Sequence, residues 1–302
     1  MGDIKYIDRI QVSNFWGLYD VDWKLDPSVN ILIGKNGSGK STLLDLLEES
    51  FEYGNSTGSE REKFLNGEAY LGNEYTGEIK FTFNNDQVLI NILMRANGSQ
   101  SHSSLPSNFI YQLIRTFDAN LIDRDPFEKK DKPSIKTPLD YILNELIDEY
   151  VEYQLNLTKR IINHNEDKKD VFKRFELFHN FLDELFGDSN KTSNRDANRI
   201  DFLLNDKVAI NVTQLSAGEK QLLIILITVL IQDGKPATLL LDEPEVSLHI
   251  DWQYKFIDIL KQINPNCQLI IATHSPSIFG ENGEYPIYFM EDVLGIKESV
   301  NG

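Results

Sequence analysis

A glycine-rich stretch at residues 34–42, GKNGSGKST, restricts the possible folds of this chain more than any other segment. It matches the pattern G-x-x-x-x-G-K-[ST], follows an apolar run ending at Ile33, and leads into a helical pattern near Lys40. A strand, a tight loop and a helix in this order surround an anion with backbone N–H groups and the positive end of a helix dipole. The stretch therefore predicts a phosphate-binding loop within an α/β fold.

The loop residues have separate expected roles in binding a nucleoside triphosphate. Lys40 is expected to reach the outer phosphates, and Ser41 is expected to coordinate Mg²⁺. Without nucleotide, the Lys40 side chain is expected to extend into the solvent-filled loop. The glycines let backbone N–H groups turn towards phosphate oxygens. The predicted binding residues of the loop are Gly34, Asn36, Gly37, Ser38, Gly39, Lys40, Ser41 and Thr42.

Two apolar runs nearer the C-terminus end in polar residues that suit phosphate chemistry. The run TLLLD at residues 238–242 is typical of a buried parallel strand, and it ends in Asp242 followed by Glu243. Because open α/β sheets bind ligands at the carboxyl ends of their strands, we expect Asp242 to be an Mg²⁺ ligand and Glu243 the general base. The segment LIIATHSP ends a second run, and its His274 is expected to contact the terminal phosphate.

The remaining periodicities predict a mixed arrangement of strands and helices. Alternating runs in residues 4–33, together with GEIKFTF and QVLINILM, predict antiparallel strands, and FIYQLIRTF predicts another strand. Between Pro138 and Phe186, apolar residues recur every three or four positions, which predicts two or three amphipathic helices. Strands return in KVAINV, ATLLLD, QLIIAT and PIYFM.

These patterns divide the chain into two lobes and a helical insert. We expect the first lobe at 1–118, the insert at 119–200 and the second lobe at 201–302. Polar stretches at 53–75 and 97–107 are expected to be loops. The insert is either a lid packed on its own core or a docking surface for a second subunit.

The charge and residue usage exclude several classes of protein. The net charge of -17 argues against a broad nucleic-acid-binding face. Cys267 is the only cysteine, so no internal disulfide can form, as expected in a reducing compartment. The longest apolar run, LLIILITVLI, is about half of what a membrane helix needs, and the N-terminus lacks an apolar signal region. We therefore expect a cytoplasmic protein without a membrane partner.

The histidines other than His274 show no metal-binding spacing. His249, just past the acidic pair, is a candidate for contact with a partner. The other three are expected to be solvated: His102, His164 and His179.

A second loop, LSAGEKQLL at residues 215–223, runs directly into an apolar helix. Its Ser216, Gly218 and Glu219 are predicted to bind nucleotide, because N–H groups at a helix start need an anion or a cap. We find no such anion nearby in the sequence. A loop on the opposite flank cannot easily reach its own phosphate loop, so we expect two chains to face each other and complete each other's sites.

These motifs together resemble the ABC-type ATPases, whose LSGGQ-like signature acts on nucleotide bound by a second chain. LSAGEKQ is similar to the SMC, RecF and OLD-like branch. LLLDEPEVSLHIDWQ, NPNCQLIIATHSPSIF and MED resemble the AAA15/AAA21 ATPases of bacterial anti-phage systems such as PARIS, Septu and some retrons. The resemblance covers nearly the whole chain.

The resemblance implies an α/β ABC-type head with a mixed sheet, an N-terminal antiparallel β-subdomain and the helical insert. It implies ATP and Mg²⁺ as cofactors and a homodimer or higher homo-oligomer with shared ATP sites. A separate effector, a nuclease or toxin, would dock on the insert. Nucleic acid is a possible partner that the charge does not favour.

Three departures from the related proteins bear on function. We expect no C-terminal TOPRIM nuclease and no long coiled coil, and no Q-loop glutamine is obvious. Gln112 is our choice for that third metal-associated position, with Asp118 as a substitute.

The leading hypothesis is an ATP-dependent sensor or scaffold that controls an effector. The alternatives are an ATPase of a DNA-repair or DNA-structure-sensing complex, and a transporter nucleotide-binding subunit. SLHID and the large insert disfavour the transporter.

Overall fold

The computed structural model describes residues 3–55, 76–94, 109–115, 137–195, 197, 199–246, 248–279 and 285–296. The strands are β1 (Ile7–Phe15), β2 (Tyr19–Lys24), β3 (Val29–Ile33), β4 (Thr76–Phe83), β5 (Val88–Met94), β6 (Ile110–Arg115), β7 (Lys191–Ser193), β8 (Asp201–Leu204), β9 (Val208–Asn211), β10 (Ala237–Asp242), β11 (Cys267–Thr273), β12 (Ile287–Phe289) and β13 (Leu294–Ile296). The helices are α1 (Lys40–Asn55), α2 (Pro138–His164), α3 (Lys168–Phe186), α4 (Ala217–Ile231), α5 (Ile250–Ile263) and α6 (Met290–Val293).

Some predicted features lie outside the described residues. These are the loop at 97–107, which contains His102, and Asp118. Residues 56–75 of the loop predicted at 53–75 also lie outside the described residues, and its first three positions belong to α1, which ends at Asn55.

The described strands form three sheets of different character. An antiparallel sheet has the order β13-β2-β1-β4-β5, and a parallel sheet has the order β12-β3-β11-β10-β6. A small antiparallel sheet has the order β7-β8-β9. The predicted α/β fold with a mixed set of strands and an N-terminal antiparallel subdomain is confirmed.

The parallel sheet determines where the functional residues meet. Every residue of β10 and of β11 is buried, as expected for central strands covered on both faces. In the register, Asp242 lies opposite Ala272, and Thr273 lies opposite Ile33. The carboxyl ends of β3, β10 and β11 therefore share one edge of the sheet.

Helices α2 and α3 form the described part of the insert. A capping box between Thr137 and Asp140 starts α2, left-handed Asn165 ends it, and Asp167 caps α3. Both helices pack on α4, which is buried along nearly its whole length. The insert thus packs on the second lobe, although its docking role stays a prediction.

His179 contradicts the expectation that it is solvated. It lies on the same face of α3 as Phe175 and Phe178, and it is 2% exposed. Its Nε2 lies 2.9 Å from the hydroxyl of Tyr150. Burial, with a smaller contribution from the charge of Arg195, lowers the pKa of His179 to about 4. His164, in contrast, is exposed as expected.

Three short strands were missing from the sequence prediction: β7, β8 and β13. Strands of three or four residues are too short to show a clear alternation of apolar and polar residues. The pairing of β7 with β8 means that the predicted boundary at residue 200 falls within this small sheet. Within the described ranges, none of the helices is long and apolar enough to cross a membrane.

Candidate active site

A cavity of about 470 Å³ opens at the shared strand edge. This volume lies in the range of small-ligand sites. The lining residues are Trp16, Asn36, Gly37, Ser38, Gly39, Lys40, Ser41, Thr42, Glu243, Val246 and His274. The structure thus brings most of the predicted phosphate loop together with the predicted base and histidine.

The loop glycines occupy positions that a larger residue could not. Gly39 has φ +98°, and a Cβ there would lie 2.7 Å from Cη2 of Trp16. A Cβ on Gly34 would lie 2.5 Å from Oγ of Ser38. Glycine is favoured at Gly39 by its positive φ, and at Gly34 because a Cβ there would also lie 2.9 Å from Cβ of Met290.

Lys40, Glu243 and His274 contact one another. The Lys40 ammonium donates to the carbonyl oxygen of Gly34 at 3.1 Å and lies 2.7 Å from Nε2 of His274. It also lies 3.5 Å from Oε1 of Glu243, which is 3.0 Å from the same Nε2. Lys40 is only 4% exposed, so the expectation that it extends into solvent was wrong.

The ammonium of Lys40 can only donate, so the imidazole of His274 accepts at Nε2 and is neutral. The pKa of His274 is lowered accordingly, first by burial and then by the charge of Lys40. Because Nε2 accepts from Lys40, it has no proton to donate to Glu243, and the Lys40 ammonium is the group that bridges the imidazole and the carboxylate.

Glu243 has both an unusual backbone and an unusual acidity. Its φ is +48°, a left-handed conformation that few residues other than glycine adopt, and its N–H donates to the carbonyl of Ala272. Partial burial, first, and then the neighbouring Glu245 raise the pKa of Glu243 to about 7, although the charge of Lys40 opposes them. A carboxyl with a pKa close to neutrality is suited to general-base catalysis.

Asp242 and Ser41 have the chemistry that Mg²⁺ requires. The Ser41 hydroxyl hydrogen-bonds the Asp242 carboxylate, whose pKa is raised by burial. Oδ1 of Asp242 is buried and has no hydrogen-bond partner within the described part of the chain. Mg²⁺ takes oxygen ligands and usually needs only one or two from the protein, with phosphates and waters as the others. These two residues therefore fit the predicted metal position.

Gln112 does not reach the cavity. It lies in the middle of β6 opposite Leu239, three residues before the strand end. The residue at that end, opposite Asp242, is Arg115, which contacts Asp45 at 2.8 Å and Glu48 at 2.6 Å. The register, which the sequence alone does not specify, separates Gln112 from the metal position.

The second loop, LSAGEKQLL, also differs from its prediction in one respect. Ser216 caps α4 by accepting from the Glu219 N–H, and the Glu219 carboxylate accepts from the Ser216 N–H at 2.8 Å. The Glu219 carboxylate is therefore an anion at this helix start, and the expectation that none lies nearby was wrong. Glu219 is buried and paired with Lys191 at 2.7 Å, whereas Ser216 and Ala217 are exposed. None of the predicted residues Ser216, Gly218 and Glu219 lines the cavity.

Three residues at the site were not found from the sequence: Trp16, Glu245 and Val246, the last of which also lines the cavity. Trp16, at the turn after β1, is 45% exposed, stacks on Phe15 and lines the cavity. Glu245 is buried, and its Oε1 accepts from the Thr273 hydroxyl and from the N–H groups of His274 and Ser275. The sequence offered a signal for two of them: the aromatic residue before glycine in FWG, which is Trp16, and the last acid of DEPE, which is Glu245.

The fold and this cavity define a phosphate-loop protein with the fold of the ABC-type ATPase heads. The family "AAA domain, putative AbiEii toxin, Type IV TA system" matches residues 99–280, more than half of the chain, and the chain belongs to it. The family "AAA ATPase domain" matches residues 6–90.

Two relatives resemble the chain over most of its length, and a third resembles it over a short segment. The "Retron Ec83 probable ATPase" of Escherichia coli is 22% identical, covering 92% of this chain and 70% of that protein. The Septu protein PtuA of Bacillus thuringiensis is 22% identical, covering 89% and 72%. The DNA replication and repair protein RecF of Lactobacillus acidophilus is 48% identical over 42 residues, which is 14% of this chain and 11% of RecF.

Solved structures show the same fold at low sequence identity. The SMC head domain of Thermotoga maritima superposes with a TM-score of 0.50 at 17% identity, covering 94% of each chain. The recombination mediator RecF, in its ATPrS structure, gives a TM-score of 0.50 at 14% identity, covering 97% of this chain and 98% of that one.

Proposed function

We propose that the protein binds ATP with Mg²⁺ and hydrolyses it to ADP and phosphate. The observation that carries this proposal is the arrangement of Lys40, Glu243 and His274 in one cavity beside Ser41 and Asp242. A phosphate-binding cation, a base of suitable acidity and an oxygen-rich metal position are the parts that phosphoryl transfer needs.

In the proposed reaction, backbone N–H groups of the loop and Lys40 hold the outer phosphates in line with an attacking water. Glu243 accepts a proton from this water while the oxygen of the water bonds to the terminal phosphorus. The bond from that phosphorus to the bridging oxygen breaks, and ADP leaves. Mg²⁺, held by Ser41 and Asp242, would neutralise charge on the phosphate oxygens. His274 contacts Glu243 and faces the same terminal phosphate.

Trp16 is proposed to bind the base of the nucleotide. Its ring lies beside Gly39 at the cavity wall and is half-exposed. A flat, accessible indole next to a phosphate loop can stack on a purine ring, a contact worth about 1–3 kcal/mol per base.

We propose further that two chains share their ATP sites. This is supported by the exposure of Ser216 and Ala217 at the start of α4, outside the cavity of their own chain. The N–H groups of that helix start would approach the terminal phosphate held by a second chain. Binding of ATP would then join two chains, and hydrolysis would release them.

The biological role proposed for this cycle is control of an effector protein, such as a nuclease or toxin that docks on the insert, in anti-phage defence. The likeness to the Septu and retron proteins over nine-tenths of the chain favours this role. The likeness to RecF and SMC heads favours a second candidate, an ATPase of a DNA-repair complex. The net charge of -17 counts against a broad DNA-binding surface on this chain.

Mixing two inactive variants tests the shared sites. Lys40→Ala removes the phosphate cation, and Ala217→Glu places an anion where the second chain's phosphate would approach. Glutamate at the first turn of a helix is compatible with the helix dipole, and the Ser216 cap is kept. Each variant alone should have little ATPase activity, and the mixture should recover part of the activity.

Recovery is expected because one site of a mixed dimer has an intact phosphate loop and an intact LSAGEKQLL turn. Ala217→Ser is the control, since a small residue there should leave the activity unchanged. No recovery, despite mixed dimers shown by mass photometry or cross-linking, would refute shared sites.

A further inference from the structure

The first turn of α4 contains two buried charges of opposite sign, and a different element pairs with each of them. The Glu219 carboxylate pairs with Lys191 of β7 at 2.7 Å. The Lys220 ammonium pairs with Asp140 of α2 at 2.8 Å. Neither residue lines the cavity, and the catalytic chemistry proposed above does not use them.

The pair of Asp140 and Lys220 is enclosed by protein. The Asp140 side chain is 2% exposed and that of Lys220 is 9% exposed. Oδ2 of Asp140 also accepts from the N–H of Thr137 at 3.0 Å, so the carboxylate is fixed by the start of α2. In such surroundings a charge interaction is stronger than in water, and a lost partner leaves the other charge buried and unpaired.

The opposite ends of the same two helices are joined as well. Asp233, just after α4, accepts from Arg160 at 3.2 Å and lies 4.0 Å from Arg174. The hydroxyl of Tyr153 donates to it at 3.5 Å. Because α2 contacts the first turn of α4 through Asp140 and the far end through Arg160, the two helices run side by side in the same direction. Helix α4 is therefore held to the insert at both ends.

We propose that Asp140 is a positioning residue for the LSAGEKQLL turn, so that the helical insert sets the geometry of the ATP site in the opposite chain. The inference rests on the proposed sharing of sites. It assigns to the insert a part in catalysis, in addition to any docking role, because displacement of the insert would move Lys220 and the exposed residues next to it.

The physical basis is the short path between the ion pair and the exposed turn. Lys220 lies four residues after Ser216, and the Lys220 N–H donates to the Ser216 carbonyl at 2.9 Å. If the ammonium loses Asp140, it must move towards water, and the helix turn moves with it. Misplacement of a reacting group by about 1 Å can reduce a rate by about 10²-fold.

Three substitutions measure this coupling. Asp140→Asn and Lys220→Gln should each reduce ATP turnover by about 10²-fold and leave ATP binding by the phosphate loop of the same chain unchanged. The double variant has no unpaired buried charge and should recover at least part of the lost turnover. Asp148→Asn is the matched control, because Asp148 is exposed on the same helix and pairs with exposed Arg199.

Mixing experiments then show on which side of the site Asp140 acts. Asp140→Asn mixed with Lys40→Ala should recover activity, as is expected of the reference mixture of Ala217→Glu with Lys40→Ala. Asp140→Asn mixed with Ala217→Glu should stay inactive, because each site of the mixed dimer would then have one defective turn. If Asp140→Asn proves unfolded by circular dichroism, Lys220→Gln takes its place in each mixture.

Two sets of results would overturn this inference but leave the proposed sharing of sites intact. The first is wild-type turnover in both single variants, or single effects that simply multiply in the double variant. The second is recovery with Ala217→Glu but not with Lys40→Ala, which would place Asp140 on the phosphate-loop side. Failure of the reference mixture of Lys40→Ala with Ala217→Glu would instead overturn the sharing of sites, and the inference with it.

Discussion

The buried histidine of the insert predicts a loss of stability in mild acid. His179 is 2% exposed, its Nε2 faces the Tyr150 hydroxyl, and its buried Nδ1 has no hydrogen-bond partner within the described residues. Protonation would therefore place a charge among aromatic rings with an unpaired N–H. Arg195 disfavours that charge and Asp183 favours it, but burial has the largest effect on the pKa of His179.

The size of this loss of stability follows from the pKa of His179 in the folded and in the unfolded chain. The pKa is about 4 in the folded chain and 6.5 in the ordinary imidazole. Because the folded-state pKa is lowered, the unfolded chain binds the proton first as the pH falls below 6.5. The stabilisation present above pH 6.5 is thus lost between pH 6.5 and about 4. The full loss is about 3 kcal/mol, of which about 2 kcal/mol is lost by pH 5.

Urea unfolding at several pH values, comparing the wild type with His179→Phe, measures this loss. Phenylalanine keeps a ring between Phe175 and Phe178 but cannot titrate. The difference in unfolding free energy between the two proteins should shift by about 2 kcal/mol in favour of the variant from pH 7.5 to pH 5. His164→Phe, at an exposed position on α2, should follow the wild type. Parallel loss of stability in the wild type and His179→Phe would refute the reasoning.

Three further predictions concern the cavity. Glu243→Gln keeps the shape but cannot take a proton, so phosphate release should slow by about 10²- to 10⁴-fold with ATP affinity retained; unchanged turnover would contradict the role of Glu243 as base. Lys40→Ala removes the buried cation, and ATP binding by calorimetry should be lost; wild-type affinity would contradict its role. Trp16→Ala should weaken ATP binding about tenfold or more, and Trp16→Phe should weaken it less; equal affinity in all three proteins would exclude stacking on Trp16.

The features that the sequence predicted correctly are those contained in one short segment. The phosphate loop has its glycines, its lysine and its flanking strand and helix within a dozen residues. Asp242 and Glu243 follow a continuous apolar run, which only a strand covered on both faces explains well. Parallel pairing of β3, β10 and β11 then brings the strand ends together without further information.

The features that the sequence did not predict depend on which distant segments pair. Gln112 is excluded from the cavity by the register of β6 against β10, and a shift of three residues would have placed it at the strand end. The partners of Glu219 and Lys220 lie 28 and 80 residues earlier, at Lys191 and Asp140. No local pattern marks such pairs, and an isolated charged residue in a sequence is ordinarily solvated.

The end of β10 combines several features that a fold selected only for stability would avoid. Glu243 is in a left-handed conformation, which costs roughly 1–2 kcal/mol for a residue with a Cβ. Its carboxyl is partly buried beside those of Asp242 and Glu245, so that burial and like charge both raise its pKa. The buried Oδ1 of Asp242 adds an oxygen without a partner in the described part of the chain. Backbone strain of this kind persists where the surrounding structure imposes it, and it clusters at functional sites. Fully buried β10 and β11 supply that rigid surrounding, because neither strand can shift without opening the core. The same strands that make the site unfavourable to build therefore hold its acid groups in place for the proposed catalysis.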